Sequence, residues 1–247
     1  MSLQEGTRVT EMTLFPFFMN IEGTNGIITG GGKHALEKIN RLMPYGPQLH
    51  VIAQEVCKEI ERLTAEGEES QKKEESEMIS QTNVKNQKMD KNTKYADITI
   101  SRRNFRESDL DTCPSFVIVA GEDAQENHWI AGLCRERGIL VNVVDDQEYC
   151  DFIFPSLIAH GNLSIGICTN GASPSTGVLL KRKIEEQIPE HIEEILNFLQ
   201  EKRPEIMEAF PDKKKRFAFY YNLSELCMAE DRVLSQAEFE QMVSNAK

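Results

Sequence analysis

No run of apolar residues in this 247-residue chain comes near the roughly 20 needed to cross a bilayer. A cationic surplus is missing as well: 28 Lys and Arg stand against 40 Asp and Glu, a formal charge of −12. Nucleic-acid and anionic-membrane binders carry a basic face, so neither partner is expected, although a local cluster can still hold a small anion. None of the six cysteines, Cys57, Cys113, Cys134, Cys150, Cys168 and Cys227, stands in a Cys-x-x-Cys pair. Zinc-ribbon and thioredoxin readings therefore lose their support, and scattered thiols of this kind are usually reduced and buried. His34, His50, His128, His160 and His191 lack paired ligand spacing, so no metal site is expected. His128 lies beside the one tryptophan, Trp129, and reads as a packing residue. The start, Met1 to Glu11, mixes both charge signs and lacks the basic-then-apolar order of a signal peptide. A cytoplasmic location is the expectation. No internal repeat is visible.

What is present is enough apolar sequence, 40% of the chain, for a real core and more than one domain. After an apolar lead-in at Phe15-Pro16-Phe17-Phe18-Met19-Asn20-Ile21, a short strand Gly26 to Thr29 runs into Gly30-Gly31-Gly32. Ala35, Leu36, Ile39 and Leu42 then keep helical spacing until Pro44 and Gly46. A second strand, Leu49 to Ala53, is followed by a helix marked by Val56, Ile60 and Leu63. This alternation opens a doubly wound α/β domain. From Ala65 to Lys94 the chain turns to Glu, Lys, Gln, Ser and Asn, which reads as a solvated insertion. Strands are then expected at Ala96–Ile100, Ser115–Ala120 and Ile139–Val144, with a helix from about Asp123 to Arg137. Past Asp146 the alternation breaks. Asp151–Ser156 and Leu163–Cys168 read as two strands about a His160-Gly161-Asn162 turn. From Ser173 onward the pattern is helical: Ile184, Ile188, Ile192, Ile195 and Leu199 recur at spacings of three and four, and Pro204 and Pro211 divide the region.

Three places can carry chemistry. Gly30-Gly31-Gly32-Lys33-His34-Ala35 fits Gly-x-Gly-x-x-Ala between a strand and a helix. Gly30 permits the tight turn, Gly32 lets a pyrophosphate approach the backbone, and Ala35 allows close helix–strand packing. The helix N-terminus then offers free N–H groups to the phosphates. The reading is dinucleotide binding, with a packing turn as its alternative. The second strand runs out as Ile52-Ala53-Gln54-Glu55, where a typical NAD site has an acid for the ribose hydroxyls. Gln54 can bond a ribose, and Glu55 stands a step further along. No Arg follows this strand to pair with a 2′-phosphate, so NAD is favoured over NADP. Finally, Asp145 ends a buried-type strand at Asn142-Val143-Val144-Asp145-Asp146, where ligands of open α/β sheets sit. It is open to two readings, a general base beside apolar surroundings or the cap of a turn.

Taken together, Phe15-Pro16-Phe17-Phe18, the Gly30–Lys33 turn, Gly138-Ile139-Leu140-Val141-Asn142-Val143-Val144-Asp145, Cys150-Asp151-Phe152-Ile153-Phe154-Pro155 and Thr169-Asn170-Gly171-Ala172-Ser173-Pro174 resemble the precorrin-2 dehydrogenase / sirohydrochlorin ferrochelatase family, the dehydrogenase–chelatase part of siroheme synthases. The resemblance spans about residues 14 to 200, interrupted by the polar insertion. It implies an α/β fold: a Rossmann-type parallel sheet (12–150, with the insertion at about 65–94), a small dimerisation domain (151–180) and a C-terminal helical domain (181–247). It implies a homodimer that uses NAD to oxidise precorrin-2 to sirohydrochlorin, with insertion of Fe²⁺ or Co²⁺ as a further activity. By position, Gly30, Gly31, Gly32, Lys33 and His34 fall at the cofactor phosphates, and Gln54 and Glu55 border the adenosine. Asp145 falls on the catalytic aspartate. Thr169, Asn170 and Ser173 fall on the tetrapyrrole pocket. A base able to take pyrrole protons would serve chelation too, since the macrocycle nitrogens are the metal's ligands.

The chain also departs from the family pattern. Asn170 replaces a usual Gly, which suits a left-handed turn residue. Gly121-Glu122-Asp123 replaces a Thr-Asp-Asp-like stretch beside the cofactor, and His160 stands where Arg is frequent. Lys181-Arg182-Lys183 is either a partner for substrate carboxylates or a solvated basic face. Two other functions therefore stay open: a non-catalytic module that holds nucleotide or tetrapyrrole for delivery or sensing, and a structural subunit whose insertion docks a partner.

Overall fold

The computed structural model describes residues 14–64 and 97–246. The polar segment 65–94 lies outside them. The chain divides into two compact units, Phe15–Ile153 and the residues from Phe154 onward.

The first unit is a parallel sheet of five strands, β1 (Asn25–Thr29), β2 (Gln48–Ile52), β3 (Asp97–Ser101), β4 (Phe116–Val119) and β5 (Leu140–Val143), in the order β3-β2-β1-β4-β5. Every expected strand in this region is present, each end within one residue of the expected one. All four residues of β4 are buried, as befits a central strand covered on both faces. Helix α1 (Lys33–Leu42) follows β1, with Ala35, Ile39 and Leu42 on its buried face. Helix α2 (58–64) follows β2, and α3 (Ala124–Glu136) links β4 to β5. Ile130, Ala131 and Cys134 of α3 join Val117, Val119, Val141 and Val143 in one core. Because β1 leads one way to β2 and the chain returns to the other side with β4, the strand order reverses between β1 and β4. A crevice opens there, beyond the carboxyl ends of the strands.

The second unit begins with an antiparallel pair, β6 (Ser156–His160) and β7 (Leu163–Ile167). Here the structure corrects the expected first strand: Asp151–Pro155 is a connector, and β6 starts at Ser156. Asp151 is spent on holding the chain, accepting from the Val141 N–H at 3.1 Å and pairing with Arg135. Pro155 has no N–H to give a ladder. Gly161, at φ +52°, makes the turn. Five helices follow: α4 (Pro174–Glu185), α5 (Ile192–Glu201), α6 (Arg203–Ala209), α7 (Lys213–Glu230) and α8 (Gln236–Ala246). Pro204 opens α6, and Pro211 separates α6 from α7. The isoleucine spacing from Ile184 to Leu199 runs across a break at 186–191, so it belongs to two helices. Phe210, Phe219 and Phe239 anchor this unit's core, the first pair stacked with centroids 4.6 Å apart and the second edge-to-face at 6.2 Å. Among the described residues no helix is long and apolar enough to cross a membrane.

Candidate functional site

A cleft of about 1170 Å³ lies at the carboxyl ends of the parallel strands and is lined wholly by the first unit. It brings together Gly30, Gly31, Gly32, Lys33, His34, Gln54, Glu55 and Asp145. Thr169, Asn170 and Ser173 belong to the second unit and are not among its lining.

The three glycines meet three different constraints. Gly30 has φ +95°, and a Cβ there would stand 2.4 Å from the Ala120 carbonyl oxygen. A Cβ on Gly31 would stand 2.1 Å from the Glu55 carbonyl oxygen, and the Gly31 carbonyl accepts from the Cys57 N–H at 2.8 Å. Both are fixed by neighbouring backbone. A Cβ on Gly32 would meet nothing within 4 Å. Gly32 is the residue before α1. No side chain caps that helix, and its first turn carries no acid. The N–H groups of this turn are therefore open to an anion.

Helix α3 is the opposite case. Its N-terminus also lines the cleft, but Asp123 accepts from the Gln125 and Glu126 N–H groups at 2.8 and 3.4 Å. Its positive end already faces a carboxylate, which leaves α1 as the anion-binding end.

Gln54 and Glu55 lie exposed on the β2 side, in the turn before α2. The structure adds Arg103, which follows β3 and lines the same side. The sequence offered no sign of it, because Arg103 stands 49 residues beyond Gln54 and arrives only through β2–β3 pairing. Its guanidinium is committed bidentately to Asp109, at 2.6 and 2.8 Å. Burial alone would raise the Asp109 carboxyl, but the Arg103 bonds and the Arg106 N–H hold it below the usual carboxylate range. Nearby, burial lowers His50, whose Nε2 lies 2.8 Å from the Ser101 hydroxyl.

Beyond β5, Asp145 sits in the left-handed region at φ +62°, exposed, and its carboxylate has no hydrogen bond or ion pair among the described residues. It therefore makes the turn and also faces the cleft. Asp146 differs: its Oδ2 lies 2.7 Å from His128 Nε2, and the His128 ring stacks on Tyr149 at 3.8 Å. The packing expected of His128 is to Tyr149, with a carboxylate partner besides. Below them Asn142, buried in β5, donates to the Phe152 carbonyl at 2.9 Å and braces the strand end.

In the second unit, Asn170 adopts φ +49° and Gly171 φ +80°, so asparagine does serve the left-handed turn. The Thr169 hydroxyl donates to the Ser173 carbonyl at 3.1 Å, and the Ser173 hydroxyl caps α4 through the Thr176 N–H. Lys181 and Arg182 pair with Glu185 and Glu186 one turn on, in keeping with a solvated basic face. Among the described residues no cluster of His, Cys, Asp and Glu is arranged to hold a metal.

Residues 17–156 match a family model described as "Putative NAD(P)-binding". The chain belongs to this NAD(P)-binding family. It is 26% identical over 227 residues to a siroheme synthase of Nitrosococcus oceani, covering 92% of this chain and 42% of that protein. It is 27% identical over 233 residues to a siroheme synthase of Pseudomonas entomophila, covering 94% and 44%. The chain thus spans less than half the length of these curated relatives. The solved structure of SirC, precorrin-2 dehydrogenase, has the same fold at TM-score 0.64 and 20% identity, over 94% of this chain and 98% of that one.

The cleft of this NAD(P)-binding chain fits a dinucleotide. The uncapped α1 and the open position at Gly32 suit the pyrophosphate. Gln54 and Glu55 line it on the β2 side, and the residues after β4 and β5 line it on the other. With Arg103 tied to Asp109, a 2′-phosphate finds no uncommitted arginine on the adenosine side among the described residues, which favours NAD.

Proposed function

We propose that this chain oxidises precorrin-2 to sirohydrochlorin with NAD⁺ as acceptor. The observation that carries the reading is the Asp145 carboxylate, unpaired among the described residues and on the wall of a cleft built for a dinucleotide. Its support in kind is a likeness running along almost the whole chain to proteins named siroheme synthase and precorrin-2 dehydrogenase.

Such an oxidation removes a hydride from one carbon of the macrocycle and a proton from a neighbouring C–H or N–H. Bound NAD⁺ supplies the hydride acceptor. Asp145 takes the proton, and having no partner among the described residues leaves it ready to do so. Asp146, one residue on, is already engaged by His128 and serves position instead. Thr169, Asn170 and Ser173 are assigned to the tetrapyrrole's edge. Insertion of Fe²⁺ or Co²⁺ into sirohydrochlorin is a second activity to be measured on the same preparation, with Asp145 again the proton acceptor.

The domain reading keeps 12–150 for the cofactor, 151–180 for dimerisation and 181–247 as the helical domain. A two-stranded sheet is marginal by itself, and α4 turns Val178, Leu179 and Leu180 to solvent, which suits pairing with a second copy.

Precorrin-2 and NAD⁺ are supplied together and NADH absorbance is followed. Turnover is expected; authentic substrate without NADH overturns the reading, and tight tetrapyrrole binding without oxidation points to a delivery or sensing module. Asp145→Asn should lower kcat by about 10²- to 10⁴-fold with NAD⁺ affinity unchanged. An unaltered rate removes Asp145 from the chemistry.

A further inference from the structure

Two residues of the cleft wall carry a buried side-chain oxygen with no partner among the described residues: Thr29 Oγ1 at the end of β1, and Asn127 Oδ1 in the first half of α3. The residues are 4% and 7% exposed. A buried acceptor without a donor is costly, so such atoms call for a water or a ligand. For Asn127 the amide orientation is fixed, because its Nδ2 donates to the Gly121 carbonyl at 2.9 Å. The opposite orientation would set two oxygens against each other. Oδ1 is therefore held as a pure acceptor.

Gly121 packs directly beside that acceptor. A Cβ at 121 would stand 2.8 Å from Asn127 Oδ1, closer than side chains approach. Gly121 has no positive φ to demand glycine, so what its missing side chain permits is the close approach of Oδ1.

The place of this niche selects the ligand group. It follows β4, across the strand-order reversal from Gln54 and Glu55. With the pyrophosphate on α1, the adenosine half extends toward β2 and the nicotinamide riboside half toward β4. Phosphate oxygens accept and do not donate, so they cannot satisfy Oδ1. The donors on this half are the ribose hydroxyls and the carboxamide N–H.

We propose that Asn127, beside Gly121, accepts a hydrogen bond from the nicotinamide riboside half of the dinucleotide and positions that half in the cleft. The proposal rests on the NAD-binding reading of the same cleft and deepens it. Thr29 Oγ1, on the wall of the same cleft, is a second group to test.

The experiment is calorimetric titration of the whole chain with NAD⁺, ADP-ribose and ADP, comparing the parent with Asn127→Ala and Gly121→Val. The second variant fills the niche and leaves the Asn127 side chain itself intact. Both should bind NAD⁺ about 10-fold more weakly and ADP as the parent does. A parallel loss for ADP-ribose assigns the donor to the ribose; an ADP-ribose affinity equal to the parent's assigns it to the carboxamide. Equal losses for all three ligands, or no loss for any, overturn the proposal, the first as general damage and the second as a water site. If the parent binds no NAD⁺, the cofactor reading itself fails, a result distinct from both. Thr29→Val is titrated in the same way, and a loss confined to NAD⁺ extends the niche to β1.

Discussion

Gly30 and Gly32 are two residues apart in one turn, yet a methyl group should do different damage at each. At Gly30 it meets the Ala120 carbonyl at 2.4 Å in a backbone conformation that side chains rarely adopt. Alanine there should cost about 3 kcal/mol of stability, through strain and overlap with backbone that cannot step aside. At Gly32 the methyl meets no atom within 4 Å among the described residues beyond its chain neighbours. The fold should lose only about 1 kcal/mol, the ordinary cost of alanine before a helix. NAD⁺ affinity should nevertheless fall at least about 10-fold, because the methyl occupies the approach of the pyrophosphate. Thermal melts and NAD⁺ titrations of the two variants separate the cases. A Gly32→Ala protein that binds like the parent would remove the phosphate from α1. The spacing of these glycines was legible in the sequence, and so was their strand–helix context. The role of Gly31 was not: it depends on Glu55 and Val56 folding back over the turn.

At the scale of elements, helix ends decide where charge is welcome. Helix α1 leaves its N-terminus open, α3 closes its own with Asp123, and α8 closes its own with a reciprocal pair: the Ser235 N–H donates to Glu238 and the Glu238 N–H donates to the Ser235 hydroxyl. Arg232 adds a bidentate contact to Glu238 at 2.8 and 3.1 Å. Led by Arg232, and helped by the Ser235 hydroxyl and N–H, these groups hold the Glu238 carboxyl down to about 2, from an ordinary 4.5. A depressed carboxylate stabilises the fold above its unfolded value and stops doing so as pH falls through its folded value. The stability advantage of the parent over Glu238→Gln should thus be full above about pH 5, shrink between 4.5 and 2, and vanish below. Denaturant melts across that range measure it, and a difference independent of pH would show that Glu238 acts by packing alone. Element boundaries were less legible than the elements themselves. The isoleucine period runs through a helix break: Ile184 is half-buried near the end of α4, while Ile192 and Ile195 are buried in α5. The first strand of the hairpin lies five residues later than its apolar run, because Asp151 is tied to β5.

For the molecule as a whole, the alternation of strands and helices announced the sheet, because each strand–helix signal is local in sequence. The candidate site divides along the same line. Gly30, Gly32, Gln54 and Asp145 end or follow strands and could be read one by one. Arg103, Thr29 and Asn127 could not, since burial and unmet hydrogen bonds arise only when strands distant in sequence pair. The two units have separate cores, one around Val117 and Ile130, the other around Phe219 and Phe239. The cofactor cleft draws all its lining from the first. Damage to the second core should therefore leave cofactor binding untouched. Phe219 contacts both Phe210 and Phe239, and Phe219→Ala should destabilise its unit by about 3–5 kcal/mol. Calorimetric scans should show a lowered transition for that unit, while NAD⁺ affinity stays within about 2-fold of the parent. Saturating NAD⁺ should raise the melting of the first unit only, since a ligand stabilises what it binds. If Phe219→Ala abolishes NAD⁺ binding at a temperature where the sheet remains folded, the cleft depends on more of the chain than its lining residues, and the assignment of the cofactor to the first unit alone is wrong.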